Sequence, residues 1–331
     1  MERSVNKIGA LDGLRGIAIL SVLFSHFVTA GGINLGRVGV ELFFVLSGRL
    51  MAELLFVRKN DLAIFLKRRI SRVWPALFVM VIVTSWIAAL PLRGTLHALT
   101  FTSNYASAYG YRVEMLDHIW SLCIEEHVYI FLAILAFAVR RWNIDPAKVC
   151  FVAAIMCMAH GTYLTLNGGG YYEVYWRTDT RAASILISNA IYLLLRKHQW
   201  VIPTAGVWFA GITGLLLNIN LVPDPIKYSL GTICLALAVS TIEHSGGLIK
   251  TVLCNRATLL VGLLSYSLYL WQQPFCKLIG TYPLAALFLA TIVCAVMSYW
   301  LIEKPCRDFL NRVWAAGNPR PAVPRQAIES P

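Results

Sequence analysis

From the N-terminus onward the chain alternates long apolar runs with short polar gaps, many of them basic. The runs are roughly 17 to 25 residues long, enough as helices to cross about 30 Å of hydrocarbon. Their centres fall near Leu23, Val45, Val81, Ile130, Ile155, Ser188, Ile212, Leu235, Leu268 and Val293. The pattern predicts an all-α, polytopic integral membrane protein with about ten transmembrane helices. Residues 1–314 form its membrane domain, and a Pro-rich, polar, disordered cytoplasmic tail follows over residues 315–331. No repeat of obvious period is present, which weakens a transporter built from inverted halves.

Hydrophobic residues make up 58% of the 331 positions and charged residues 14%, against roughly 25% charged in soluble domains. One globular core cannot bury that much apolar side chain, so lipid is the expected solvent. A net charge of +12 would suit nucleic acid if the cations formed one face. They sit instead in gaps between apolar runs, so the bilayer and not nucleic acid is the expected partner. With the N-terminus inside, twenty Lys and Arg residues fall on inner segments and seven on outer ones. That bias predicts an even number of spans with both termini cytoplasmic. The first run carries Arg15 and His26 and lacks a small-residue cleavage site, so it is expected to be a retained helix. The eight cysteines form no CxxC pair and serve as small apolar fillers, with no metal site expected.

An ionisable group near mid-bilayer costs about 2.5 to 3.5 kcal/mol on insertion scales, so each needs a partner or a purpose. Asp12 and Arg15, three apart, can pair on one face of the first helix. Arg15 and His26 are eleven apart, about three full turns, which aligns both side chains about 16 Å apart along the axis. That stripe suits an anionic donor entering from the cytoplasm and reacting within the membrane, and equally a snorkelling Arg with a satisfied core His. Arg69 and Arg72, one turn apart in RRISRVWP, can fork a phosphate or simply form a basic stop-transfer loop. On the outer side His118, Trp120, Ser121, Glu125, Glu126 and His127 crowd the start of the fourth helix. The two carboxylates there can hydrogen-bond sugar hydroxyls or pair with Arg177 and Arg181. His160 is expected to be a satisfied core histidine, and Arg49 and Glu53 a local ion pair.

In order along the chain, LDGLRGIAILSVLFSHF, GVELFFVLSG, RRISRVWPA, HIWSLCIEEHVY, TDTRAASIL, SYSLYLW and SYWLIEKP resemble the segments of the acyltransferase-3 family of membrane acyltransferases. Arg15 and His26 reproduce the family's signature of Arg, ten residues, His. Together the segments span about Leu11 to Pro305. The resemblance implies a bacterial inner-membrane enzyme with no tightly bound cofactor. It would take an acyl group, as a rule acetyl, from acyl-CoA and place it on a hydroxyl of a cell-envelope carbohydrate or glycolipid. It implies His26 as catalytic residue with Arg15 as its partner, and Arg69 and Arg72 as the groups for the CoA phosphates. Candidate acceptor-binding residues are Trp120, Ser121, Glu125, Glu126, Arg181 and Tyr266. Two positions depart from the family: Gln272 stands where His is common, which puts in doubt any scheme needing a second histidine there, and His127 where Gln is common. The chain stops soon after the last apolar run, so no fused extracytoplasmic domain is expected. A transporter or flippase for an envelope glycan is the reading from another class.

Overall fold

The structure, a computed structural model, describes residues 2–28 and 33–316, and the tail beyond Ala316 lies outside the described residues. Among the described residues the chain is all-helical, without strands. Ten helices carry the ten apolar centres: α1 (Glu2–Phe27), α2 (Leu35–Met51), α3 (Leu62–Ile87), α4 (Ile119–Trp142) and α5 (Pro146–Leu166), then α6 (Thr178–Lys197), α7 (Thr204–Leu216), α8 (Thr232–Thr241), α9 (Arg256–Cys276) and α10 (Leu284–Ser298). An amphipathic α11 (Lys304–Ala316) closes the described chain and packs on α3. By length and composition five stretches can cross a membrane: Gly9–Phe27 of α1, all of α3, α4 and α5, and Leu284–Trp314. Of the other five helices, α7 and α8 are short, and α2, α6 and α9 carry polar groups that the bundle hides.

Local chemistry sets where helices start and bend. The Asn34 side chain accepts from Arg37 N at 3.1 Å, Asp61 from Ile64 N at 2.9 Å, and Asn255 from Thr258 N at 3.0 Å. Each satisfies a first-turn amide that has no partner within its own helix. Pro75 lies inside α3 and Pro274 inside α9, where each removes a helical hydrogen bond. Three π-helical turns, Ala52–Val57, Lys227–Gly231 and Tyr299–Glu303, re-aim the chain at helix ends. The last delivers Glu303 to the interior, 2% exposed, where Ser267 Oγ donates to it at 2.8 Å.

Contacts between connections divide the bundle into two ends. At the basic end Arg140 donates to the Asn60 carbonyl at 2.6 Å and Lys197 pairs with Asp145 at 3.0 Å. At the other, aromatic end Asn104 donates to Thr178 Oγ1 at 3.0 Å and Lys277 pairs with Glu114 at 3.2 Å. Successive helices therefore run antiparallel, as short gaps between apolar runs predict. The centre is α1, α2, α4, α6 and α9. A Cβ at Gly262 of α9 would overlap the Asp12 carbonyl oxygen of α1, and one at Gly48 of α2 the Ile185 carbonyl oxygen of α6. Backbones meet there because no side chain intervenes, the small-residue contact that membrane helices favour. Outside, Ile134, Phe137, Val152, Met156, Phe209 and Leu289 are exposed, an apolar girdle suited to lipid.

Candidate active site

A cavity of about 80 Å³ lies among α1, α2, α3, α4 and α9, with Arg15, Arg72, Ser47, Glu125, Tyr266 and Tyr269 in its wall. Toward the basic end it adjoins a wider vestibule of about 770 Å³ between α1, α2 and α6. Arg15 and Leu50 border both, so the first guanidinium of the stripe stands at the passage between them. Arg15 pairs with Asp12 at 2.7 Å, the one-turn pair that the sequence predicts.

The two arginines of α3 take different parts. Arg69 donates from Nε to Glu126 and from Nη2 to Glu125, both at 2.9 Å, and its guanidinium lies 3.9 Å above the Tyr129 ring. Ser47 Oγ and Tyr129 OH donate to the remaining Glu125 positions at 2.9 and 3.1 Å. Two buried carboxylates thus hold one cation, and Arg69 has little left for a phosphate. Arg72 makes no ion pair or hydrogen bond among the described residues and lines the cavity, close enough to Arg15 and Glu303 to feel both charges. Arg15, Arg69 and Arg72 all line the cavity, and of the two α3 arginines Arg72 is the one without an ion pair among the described residues.

Of the two alternatives for Glu125 and Glu126, pairing with Arg177 and Arg181 is not made. Those carboxylates sit one to two turns into α4 and turn to Arg69. Arg177 pairs with Asp179 at 2.6 Å, and Arg181 is sealed at 1% exposure against Glu41, which also accepts from Thr232. Arg49 likewise pairs with Glu243 at 2.5 Å, not with Glu53, which is held by Arg58 at 2.9 Å and by Tyr192. Arg181 and Arg49 thus take enclosed acids from segments distant in sequence, whereas Arg177 takes the acid two residues along its own segment. His160 is half-buried, with Nδ1 3.3 Å from Asp179, and so is not a core histidine.

Of the candidate acceptor-binding residues, Ser121, Glu125 and Tyr266 line the cavity, whereas Trp120, Glu126 and Arg181 do not. Trp120 is buried and stacks on Trp176 with ring centroids 5.6 Å apart. Tyr266 OH donates to the Val73 carbonyl at 2.7 Å. Ser121 Oγ and Tyr269 OH share a hydrogen bond of 2.7 Å.

His26 lies at the far end of α1, toward the aromatic end, and does not line the cavity that Arg15 lines. The sequence places both on one stripe, but about 16 Å of helix separates them. Tyr269 lines the cavity; its hydroxyl donates to the His118 carbonyl at 2.7 Å and its ring lies 5.5 Å from the His118 ring. His118 is buried next to His26, near enough to interact electrostatically. His26 Nδ1 is hydrogen-bonded to Gln272 Oε1 of α9. Its Nε2 has no hydrogen bond among the described residues and is not sealed from its surroundings. The site thus combines arginines that line a narrow cavity near the basic end with an imidazole nitrogen toward the aromatic end that makes no hydrogen bond among the described residues.

Glu41, Glu303 and Glu243 were not singled out from sequence. The signal was present for the first, an acid inside the apolar run GVELFF, which by cost alone requires a buried partner.

An all-helical bundle with an apolar girdle and a charged cavity defines a membrane protein with an internal reaction or transport site. The acyltransferase domain family matches residues 8–303, and the chain belongs to this family, acyltransferase-3. It is similar to the O-acetyltransferase OatA of Staphylococcus aureus (strain NCTC 8325 / PS 47), 28% identical over 342 residues, covering 90% of this chain and 57% of that protein. A putative O-acetyltransferase of S. aureus (strain COL) is 27% identical over 353 residues, covering 92% and 58%. The chain therefore spans little more than half the length of these curated relatives. No solved structure matches it.

Proposed function

We propose that this protein is a multi-pass O-acyltransferase of the bacterial inner membrane, moving an acetyl group from acetyl-CoA to a hydroxyl of a cell-envelope carbohydrate or glycolipid. The observation that carries the reading is the pair Arg15 and Arg72 facing a cavity that opens through a vestibule, with His26 Nε2 unbonded beyond its other end. About ten spans, both termini in the cytoplasm and the basic end facing inward agree with the Lys and Arg bias. The donor's phosphates would then lie at Arg15 and Arg72, where low dielectric strengthens charge-assisted hydrogen bonds. Its thioester end extends toward Tyr269 and His118, which must move aside for the acyl carbon to meet His26. Ser121, Glu125 and Tyr266, lining the path, are the remaining candidates for substrate contact. At the aromatic end Tyr109 and Tyr171 are exposed and offer flat faces on which a sugar ring packs.

In the reaction, His26 Nε2 takes the proton of the acceptor hydroxyl as its oxygen attacks the thioester carbonyl carbon. The C–S bond breaks, and the CoA thiolate takes the proton back from the imidazolium. The same nitrogen could instead attack first and carry the acetyl group as an acyl-imidazole, with the same overall balance. The test is acetyl transfer from labelled acetyl-CoA to envelope glycan in membranes carrying His26→Ala. Since positioned proton transfer contributes about 10²–10⁴-fold, the rate is expected to fall by at least 10²-fold with insertion unchanged. Near-normal transfer by that variant would remove His26 from the chemistry.

A further inference from the structure

We infer that Gln272 is the positioning residue that fixes the tautomer of His26, so that Nε2 is left as the free base. This rests on the acyltransferase reading above. The sequence by itself leaves Gln272 without an assigned role. In the structure Gln272 is fully buried and its side-chain oxygen meets His26 Nδ1 across the α1–α9 interface. An amide oxygen can only accept, so Nδ1 carries the proton and donates. A neutral imidazole with its proton on Nδ1 has its lone pair on Nε2, the nitrogen that makes no hydrogen bond among the described residues. The opposite tautomer would leave a proton on Nε2 and nothing there to accept one from a hydroxyl.

The placement is held from both sides. α1 and α9 approach without intervening side chains at Gly16 and Gly262, which sets their register. Gln273 next to it anchors the same turn by donating to the Glu114 carbonyl at 3.0 Å. The other half of the Gln272 amide, Nε2, is buried with no partner among the described residues. A buried donor without a partner is unfavourable, and folding alone gives no reason to retain it. The titratable groups that reach His26 are His118 of the α4 N-terminus and Lys277 at the end of α9. Lys277 is held by Glu114 at 3.2 Å. α10 presents the apolar Phe288, its ring 5.5 Å from that of Phe27, and Arg37 of α2 is tied to Asp224 at 3.3 Å. Among the described residues Gln272 is thus the one group that bonds the ring.

The experiment compares wild type, His26→Ala, Gln272→Glu and Gln272→Leu in membranes, with kcat and KM for acetyl-CoA measured across pH 5–9. Glutamate can only accept, so it reproduces the proposed orientation and excludes the reverse one. As an anion it makes His26 more basic, so Gln272→Glu should keep transfer at high pH. The acid limb of its kcat profile should move up by about one unit or more. Leucine should lower kcat by at least tenfold while changing KM for acetyl-CoA less than threefold. The inference is overturned if Gln272→Leu keeps kcat within twofold, or if Gln272→Glu transfers with the wild-type pH profile. Should Gln272→Leu fail to insert, the Gln272→Glu profile decides alone. Activity surviving in His26→Ala would instead sink the catalytic reading itself, which keeps the two failures distinct.

Discussion

Arg69 and Arg72 share one helical face and one motif, yet packing gives them opposite duties. Arg69 is enclosed by two carboxylates and an aromatic ring, so removing it strands Glu125 and Glu126 without a cation. Arg69→Gln should therefore destabilise the bundle, by about 3–5 kcal/mol if it behaves like other broken buried pairs. Thermal unfolding in detergent checks this, and adding Glu125→Gln and Glu126→Gln should recover much of the loss. Arg72 has no such partner among the described residues, so Arg72→Gln should leave the melting temperature nearly unchanged and raise KM for acetyl-CoA about tenfold or more. Equal effects of the two substitutions on KM would return both to phosphate binding.

Helix against helix, the bundle depends on glycines that admit no side chain. Gly48 carries α2 onto the α6 backbone, and Gly262 carries α9 onto that of α1. Even alanine there forces a backbone apart, so Gly48→Ala and Gly262→Ala should each cost about 1–3 kcal/mol. Gly262→Ala should also lower transfer, because it shifts Gln272 against His26. At the start of α5, Lys197 and the amides of Ala147 and Lys148 hold the Asp145 carboxyl below the usual carboxylate range. A depressed native pKa gives stability that is present above the unfolded value of about 3.9 and lost as pH falls through the native one. Asp145→Ala should remove that acid-limb loss and about 1 kcal/mol with it at neutral pH, seen as a lower melting temperature at pH 7.

At the scale of the whole molecule the two ends differ in chemistry, the one basic and joined to the vestibule, the other aromatic and nearer His26. If donor and acceptor enter from opposite sides, reporter fusions should place Lys59, Asn143 and His198 in the cytoplasm, and Gly110 and Gly168 outside it. Alkaline phosphatase fused after Gly110 or Gly168 should be active, and fused after Lys59 or Asn143 inactive. The reverse pattern would put the vestibule on the wrong side for a cytoplasmic donor. A strain lacking the gene should export its envelope polymer without the ester, whereas loss of the polymer itself would favour the transport reading.

The all-helical class and the placement of ten helices were legible in the chain because apolar run length is a local property, and lipid reads it residue by residue. The short-range pair Asp12–Arg15 was legible for the same reason. Which acid meets which cation was not. Glu125 chose Arg69, Arg181 chose Glu41 and Arg49 chose Glu243, partners far apart in sequence. A buried charge takes the most enclosed partner within reach, and enclosure exists only once helices have packed. Spacing likewise put Arg15 and His26 on one stripe, but only the packed bundle left His26 out of the cavity that Arg15 lines and brought Gln272 to the imidazole.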